Sequence, residues 1–388
     1  MTVPPTAHAH TAYRRCTRCV MDTTDPDITF DAAGVCNHCR NFDAVLRSRW
    51  KDNPEGEAEL RARIETIKQE NAKRDYDCIL GLSGGVDSSY LAIKVVEYGL
   101  RPLVVHVDAG WNSELAVQNI ERLVKVLKLD LHTIVIDWEE IRDLQIAFLR
   151  SGVANQDVPQ DHAFFAGLYK FAISHKVNCV LSGGNLASES ILPSAWGYDA
   201  MDSRHLKSIH RRFGSRPLKT FPIVSFWDLF FFFPFMHKMR VLRPLDYLPY
   251  DKIAAKKLLM EKYGWRDYGA KHYESVWTKF FQGYYLPGRF GYDKRLAHLS
   301  SLIVAGQLTR DDALAQLERE HYPAEDLRRD RAFVIKKLGL TEKEFEELLH
   351  APITTHRDYE SNEELMRRVK AVVRRLPFKA WLKKPFRA

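Results

Sequence analysis

The stretch "ILGLSGGVDSS", residues 79–89, places two glycines and several hydroxyl and carboxylate side chains directly after an apolar run. This pattern is typical of a buried strand that turns into a helix. Glycines allow backbone N–H groups to close on an anion, and the helix N-terminus adds free N–H groups and a positive dipole end. The stretch therefore predicts a phosphate-binding turn. It lacks the lysine and the spacing of a Walker loop, which disfavours a GTPase or a kinase.

Further strands and helices alternate after this turn. The runs "PLVVHVDAG" (102–110), "LHTIVID" (131–137) and "NCVLSGG" (178–184) predict strands, with helices between them. Such alternation predicts an α/β fold with a doubly wound parallel sheet, whose ligands bind beyond the carboxyl ends of the strands. Candidate ligand-binding residues follow two of these strand ends: Asp108, Gly183, Gly184 and Asn185.

Four of the six cysteines fall in two pairs, Cys16 and Cys19 in "CTRC" and Cys36 and Cys39 in "CNHC". Two Cys-x-x-Cys turns can bring four thiolates to one tetrahedral ion, as in a zinc ribbon. Four sulfur ligands leave no open coordination position, so we expect the zinc to be structural. An iron–sulfur cluster would use the same thiolates and stays open as an alternative.

The length and composition, 388 residues with 45% hydrophobic and 28% charged residues, indicate a globular enzyme-sized protein with more than one unit. The predicted units are a zinc-binding module (1–54), a helical linker (55–74), the sheet domain (75–250) and a helical substrate or partner region (251–388). The N-terminal residues lack the apolar segment of a secretory signal, so we expect a cytoplasmic protein without disulfides.

Two segments remain open to more than one interpretation. The apolar stretch 223–236, "IVSFWDLFFFFPFM", is too short to span a bilayer and is interpreted as a buried or interface segment, with contact to a membrane surface as the alternative. The formal net charge is +8, and the chain from Met366 onwards contains nine Lys or Arg and no acidic residue. Such a tail suits RNA, anionic lipid or an acidic partner, but its apolar spacing equally predicts an amphipathic helix with a solvated basic face.

The motif "SGGVDSS" resembles the pyrophosphate loop (PP-loop) of the adenine nucleotide alpha hydrolase superfamily, whose members cleave ATP to AMP and pyrophosphate. Together with the paired cysteines, "LSGGNLASES" and the segment 271–314, the chain from about residue 13 to 320 resembles the N-acetyl sugar amidotransferases of bacterial surface-polysaccharide and O-antigen biosynthesis. That family converts an acetamido group on a nucleotide-linked or related sugar to an acetamidino group. The resemblance therefore implies ATP, Mg²⁺ and a structural zinc ion as cofactors.

The resemblance also implies roles for individual residues. The pyrophosphate portion of ATP would be held by Ser83, Gly84, Gly85, Ser88 and Ser89. Asp87 and Glu189 would be magnesium ligands, Asp108 would meet the ribose or adenine, and Gly183, Gly184 and Asn185 would close the nucleotide site.

The later segment is expected to hold the sugar, because charged side chains there alternate with aromatic ones that can pack on sugar rings. Its candidate ligands are Lys271, His272, Glu274, Lys279, Arg289, Asp293, Lys294 and Arg295. The candidates for direct participation in the reaction are Asp87, Ser83, Lys271 and His272. A local hydrogen bond is the alternative role for His272.

No segment resembles a glutaminase, so the ammonia must come from elsewhere. The family resemblance implies a separate glutaminase that acts with a barrel subunit similar to the histidine-pathway cyclase. The strongest alternative is a tRNA-thiolating enzyme, which the basic tail and the zinc module favour. Such enzymes generally need a reactive cysteine beside the pyrophosphate loop, whereas Cys78 and Cys179 fall in predicted strands. Nucleic acid is therefore not the expected partner.

Overall fold

The computed structural model describes residues 12–269 and 273–375, without the side chains of 370 and 372–375. Five parallel strands form one sheet in the order β3-β2-β1-β4-β5. The strands are β1 (Cys78–Gly81), β2 (Pro102–Asp108), β3 (Asp130–Val135), β4 (Cys179–Leu181) and β5 (Arg240–Leu242). The predicted parallel α/β sheet is confirmed. β5 was not predicted, because it holds only two apolar residues, Val241 and Leu242, and no glycine loop follows it as one follows β4.

Helices cover both faces of the sheet. Those of the first half of the chain are α1 (Asn37–Asn41), α2 (Pro54–Glu70), α3 (Val86–Glu97), α4 (Glu114–Leu127), α5 (Trp138–Ser151), α6 (Val158–Ser174), α7 (Leu186–Glu189) and α8 (Ser203–Phe213). Alternate strand residues enter two separate apolar layers: Leu80 packs with the layer that includes α3 and α4, and Ile79 with the layer that includes α5 and α6. Because successive side chains of a strand point to opposite faces, this partition is that of a doubly wound sheet.

The C-terminal region is helical, as predicted. Its helices are α9 (Lys252–Tyr263), α10 (Val276–Phe280), α11 (Leu286–Phe290), α12 (Lys294–Val304), α13 (Arg310–Leu317), α14 (Ala324–Leu338), α15 (Glu342–His350) and α16 (Glu363–Arg375). Segment 274–276 packs onto the loop after β2, where Ser113 N donates to Glu274 O at 2.8 Å and Val276 N donates to Trp111 O at 2.9 Å. These bonds bring the C-terminal region to the carboxyl edge of the sheet.

The strand order reverses beside β1, which pairs with β2 on one side and with β4 on the other. In open parallel sheets the loops at such a reversal diverge and leave a crevice for ligands. The two glycine-containing loops of the sequence follow β1 and β4. The fold therefore brings them to the same crevice.

The apolar segment 223–236 is only partly buried. It contains a π-helical stretch, Asp228–Met236, in which Leu229 and Phe233 are buried while Trp227, just before it, and Met236 are 58% and 64% exposed. Among the described residues, no helix is both long enough and apolar enough to cross a membrane.

Candidate functional site

The loop after β1 is shaped by its glycines and held by its serines. Gly84 has φ of +83°, and a Cβ on it would lie 2.8 Å from Ala116 O. Ser88 Oγ donates to Gly85 O at 3.2 Å and accepts from Ser83 N at 3.3 Å. Ser88, on the first turn of α3, therefore closes the loop on itself. The loop is a compact turn at a helix N-terminus, a geometry that suits an anion.

Gly183 brings the loop after β4 against this turn. A Cβ on Gly183 would lie 2.9 Å from Ser88 N, closer than real side chains approach. Asn185 is fully buried, accepts from Ser188 N at 2.9 Å and donates to Gly183 O at 3.2 Å. A glycine at position 183 is thus needed for the close approach of the two loops. Asn185 fixes the conformation of the loop after β4.

Asp87, on the first turn of α3, is held from the C-terminal half of the chain. Tyr250 donates a short hydrogen bond to Asp87 Oδ1, and Lys252 Nζ lies 3.3 Å from Asp87 Oδ2. Burial, and then the nearby carboxylate of Asp87, raise the pKa of Tyr250 well above its usual value, so its hydroxyl remains a donor. Neither Tyr250 nor Lys252 was predicted from the sequence.

A cavity of about 800 Å³ opens between the two loops and continues into the C-terminal region. Of the predicted site residues, those lining it are Ser83, Gly85, Asp87, Ser88, Gly183, Gly184, Glu189, Glu274 and Lys294. The structure therefore brings seven of the eleven nucleotide candidates and two of the eight sugar candidates to one cavity. Gly84, Ser89, Asp108 and Asn185 are not among the lining residues, and Lys271 and His272 lie outside the described residues.

The cavity wall carries more carboxylates than cations. The acidic lining residues are Asp87, Asp157, Asp161, Glu189, Asp199 and Glu274, against Arg243, Lys252 and Lys294. Burial and the neighbouring Asp157 raise the pKa of Asp161 well above its usual value, an effect that Lys294 opposes. A polyphosphate in such a cavity would need bound cations beside it, and Asp87 and Glu189 offer the carboxylate oxygens that Mg²⁺ prefers.

Asp108 organises the turn after β2. It accepts from Gly110 N at 2.7 Å and from Asn112 Nδ2 at 2.9 Å. The buried neighbour His106 places Nδ1 2.9 Å from Leu82 O and Nε2 2.9 Å from Asn112 Nδ2. His106 and Asn112 do line the cavity and were missed. A lone His in a strand gives no signal, and Asn112 stands outside any motif.

Four of the sugar candidates form local contacts and do not line the cavity. Lys279 Nζ lies 2.8 Å from Asp330 Oδ2, and Asp293 is the N-cap of α12 and pairs with Arg295 at 2.7 Å. Arg289 is 3% exposed and donates to the carbonyl oxygens of Leu348, Ala351 and Pro352. Their role as sugar ligands stays a prediction, and these contacts instead tie together the C-terminal helices.

The four paired cysteines form one buried cluster, in which the Sγ atoms all lie within 4.8 Å of one another. Cys19 Sγ and Cys36 Sγ are 3.7 Å apart, and Cys16 Sγ and Cys39 Sγ are 4.0 Å apart. Tetrahedral zinc with Zn–S bonds of about 2.3 Å requires sulfurs about 3.8 Å apart. Cys36 N donates to Cys16 Sγ at 3.2 Å, a bond that stabilises a thiolate. The donor set fits a single structural zinc ion.

This cysteine module is bonded to the C-terminal region. Val20 N donates to Ser300 Oγ at 3.2 Å, and Arg310 donates to the carbonyl oxygens of Cys16 and Cys19 at 3.1 Å. Ser300 lies on α12, the helix that also carries the cavity residues Lys294 and His298. The metal centre is therefore placed to brace one wall of the cavity.

The C-terminal region is similar to one known family. Residues 274–373 match the family model described as "LPS biosynthesis protein WbpG-like, C-terminal domain". This agrees with the surface-polysaccharide setting that the sequence resemblance implies. No curated protein matches the sequence.

Among solved structures, the chain is similar to an NMN synthetase from Francisella tularensis (19% identity, TM-score 0.28) and an NH3-dependent NAD synthetase from Campylobacter jejuni (16% identity, TM-score 0.26). Each match covers 34% of this chain, and 55% and 58% of those chains, so the chain spans little more than half of either. A predicted subunit of a tRNA methyltransferase from Methanocaldococcus jannaschii matches at 14% identity and a TM-score of 0.28, over 47% of this chain and 74% of that one.

Proposed function

We propose that the protein is an ATP-dependent amidotransferase that converts the acetamido group of a nucleotide-linked sugar, with a UDP-sugar as the first candidate, to an acetamidino group. The observation that carries this proposal is the single cavity that joins the two glycine loops to Glu274 and Lys294. These two residues belong to the region that matches an LPS biosynthesis family. The product would then enter O-antigen or another surface polysaccharide.

The chemistry explains why such a reaction needs ATP. An amide carbon is a poor electrophile and its oxygen a poor leaving group. In the proposed reaction the amide oxygen attacks the α-phosphorus of ATP and pyrophosphate leaves. Ammonia then attacks the imidate carbon, and AMP departs with the former amide oxygen. The protein needs only to align these groups and stabilise the developing charge.

The loop residues have roles that follow from their positions. Ser83 and the backbone N–H groups at the start of α3 would hold the departing pyrophosphate. Lys252 lies 3.3 Å from Asp87 and would supply the positive charge that the glycine loop lacks. Asp87 and Glu189 would hold Mg²⁺, which would neutralise phosphate charge when bound.

The acidic wall suits the expected product. An amidine is protonated at neutral pH, so the reaction turns a neutral group into a cation. Glu274 lies beside the loop, since a Cβ on Gly85 would lie 3.2 Å from Glu274 Oε1. A carboxylate at this place would stabilise the new positive charge.

Ammonia is proposed to come from a separate glutaminase and a cyclase-like barrel subunit. The purified protein is then expected to work with ammonium salts alone, and to use glutamine only after those partners are added. Turnover of glutamine by the pure chain would exclude this part of the proposal.

The alternative of tRNA thiolation receives little support. Cys78 and Cys179 are buried in β1 and β4 and do not line the cavity. Burial raises the pKa of Cys78 well above its usual value and that of Cys179 to about 12. Neither thiol is therefore a nucleophile at neutral pH.

The test incubates candidate UDP-linked acetamido sugars with the protein, ATP, Mg²⁺ and ammonium, and analyses them by mass spectrometry. The expected product is lighter than its substrate by the difference between O and NH and carries one more positive charge. Asp87→Asn, with an unchanged melting temperature, should abolish both this product and AMP. A protein that forms neither with any acetamido sugar is not this enzyme.

A further inference from the structure

The π-helical segment Asp228–Met236 displays an apolar surface to solvent. Leu229 and Phe233 anchor it in the second apolar layer, where they are 8% and 5% exposed. The outward side chains, 39–64% exposed, are Trp227, Phe230, Phe231, Phe232 and Met236. Soluble proteins rarely leave so many large apolar side chains uncovered together, and such a patch marks an interaction surface.

The segment around this patch is strongly basic. Residues 203–243 contain nine Lys or Arg and one acidic residue, Asp228, so their excess positive charge equals the net charge of +8 of the whole chain. Arg204 and Arg211 pair with Glu360. Among the described residues, by contrast, the exposed Lys207 and Lys238 have no ion pair, so their charge is available to a partner.

A groove lies beside the aromatic segment. Its walls combine Phe226, Leu229 and Phe230 with Tyr198, Asp199, Met201 and Asp202 before and at the start of α8, and with Asn362, Glu363, Met366 and Arg367 at and near α16. Lys207 lies on α8, and Lys238 directly follows the aromatic segment. Arg367 is the first basic residue of the C-terminal stretch from Met366 onwards, which contains nine Lys or Arg and no acidic residue. We call Trp227, Phe230, Phe231, Phe232, Met236, Lys207 and Lys238 the aromatic–basic surface.

We propose that the aromatic–basic surface binds the surface of an anionic membrane. Aromatic side chains flanked by Lys and Arg are typical of segments that lie in the lipid headgroup region, where the rings enter the acyl boundary and the cations meet phosphate. The segment is too short to span a bilayer, so the attachment is peripheral.

Other occupants fit this surface less well. Residues 229–236 carry no hydrogen-bonding side chain, so they offer nothing to the base edges of RNA. A second copy of the chain would bring two strongly basic surfaces together, which like-charge repulsion opposes. An anionic bilayer would bury the apolar side chains and neutralise the basic charge.

The test is co-sedimentation of the full-length protein with phosphatidylcholine vesicles, with and without phosphatidylglycerol. The protein should bind the phosphatidylglycerol vesicles and be released by salt. Phe231→Ser with Phe232→Ser should weaken binding at least about tenfold, because less apolar surface is buried. Lys207→Glu with Lys238→Glu should weaken it by about tenfold or more.

The matched control is Val126→Ser with Met260→Ser, which removes two side chains of 51% and 46% exposure from α4 and α9. This variant should bind vesicles as the wild type does. Absence of binding to anionic vesicles at low salt overturns the proposal, as does an equal loss in the control variant. Dimerisation or RNA binding through this surface, without binding to vesicles, also overturns the proposal. Amidotransferase activity is not part of any readout, so this test stands apart from the proposed reaction.

Discussion

Asp87 lies between two groups that come from more than 160 positions further along the chain. Tyr250 donates to one carboxylate oxygen and Lys252 approaches the other to 3.3 Å. The hydroxyl therefore orients the carboxylate while the ammonium neutralises it. If Asp87 holds Mg²⁺, Tyr250 is a positioning residue for that ion.

The change Tyr250→Phe should raise the Mg²⁺ concentration needed for half-maximal AMP formation by about tenfold, because the freed carboxylate turns towards Lys252. The measurement is a Mg²⁺ titration of AMP release. Tyr285→Phe is the matched control, because the buried Tyr285 hydroxyl has no hydrogen-bond partner in the described part of the chain. An unchanged Mg²⁺ requirement in Tyr250→Phe would show that the hydroxyl does not position the metal ligand.

Gly183→Ala should lower ATP turnover by at least about tenfold, since its Cβ would press on Ser88 N and displace the pyrophosphate loop. Gly288→Ala, on α11, is the control, because a Cβ there meets nothing within 4 Å. Both variants are compared by AMP formation and by thermal melting. Wild-type turnover in folded Gly183→Ala protein would contradict the close approach of the two loops.

The sequence could predict the residues that its motifs contain, such as Ser83, Asp87 and Gly183, because turn chemistry between a strand and a helix is local. It could not predict Tyr250, Lys252 or His106. His106 and Lys252 reach the cavity, and Tyr250 reaches Asp87, through tertiary packing. Nothing in their neighbours along the chain distinguishes them from core or surface residues.

At the scale of elements, α12 links the metal module to the cavity. Ser300 accepts from Val20 N, and Ser301 accepts from Ile191 N of the loop after β4 at 3.0 Å. Lys294 opens the same helix and lines the cavity. The cysteine cluster is thus linked to this wall of the cavity, although none of its four cysteines lines it.

Cys19→Ser should remove the bound zinc and raise the KM for the sugar several-fold more than the KM for ATP, because α12 loses its brace while the glycine loops do not. Metal content is measured by atomic emission and the two KM values by steady-state kinetics. Cys78→Ala, a buried cysteine outside the cluster, should keep its zinc. Equal effects of Cys19→Ser on both KM values would argue against the brace.

The elements themselves were largely predictable, because long apolar runs such as those of α4 and β2 have a spacing typical of a helix or a strand. The structural contacts of the segment 273–295 were not predictable. Its dense charges predict a sugar site, and the structure shows in addition that Arg289 donates to carbonyl groups and that Lys279 pairs with Asp330, contacts that tie neighbouring helices together. Sequence spacing alone does not separate a ligand from a structural ion pair.

For the whole molecule, the fold joins three parts at one edge of the sheet: the glycine loops, the acidic cavity wall and the metal-braced C-terminal helices. This arrangement would suit the proposed reaction, which activates a neutral amide with ATP and ends in a cation.

The most direct test follows a heavy oxygen isotope placed in the acetyl carbonyl of the sugar substrate. Incubation with the protein, ATP, Mg²⁺ and ammonium should transfer the heavy oxygen to AMP, in step with formation of the acetamidino sugar. Mass spectrometry of AMP and pyrophosphate reads the outcome. Product formation with unlabelled AMP, or label found in pyrophosphate or free phosphate, would contradict activation of the amide oxygen at the α-phosphorus.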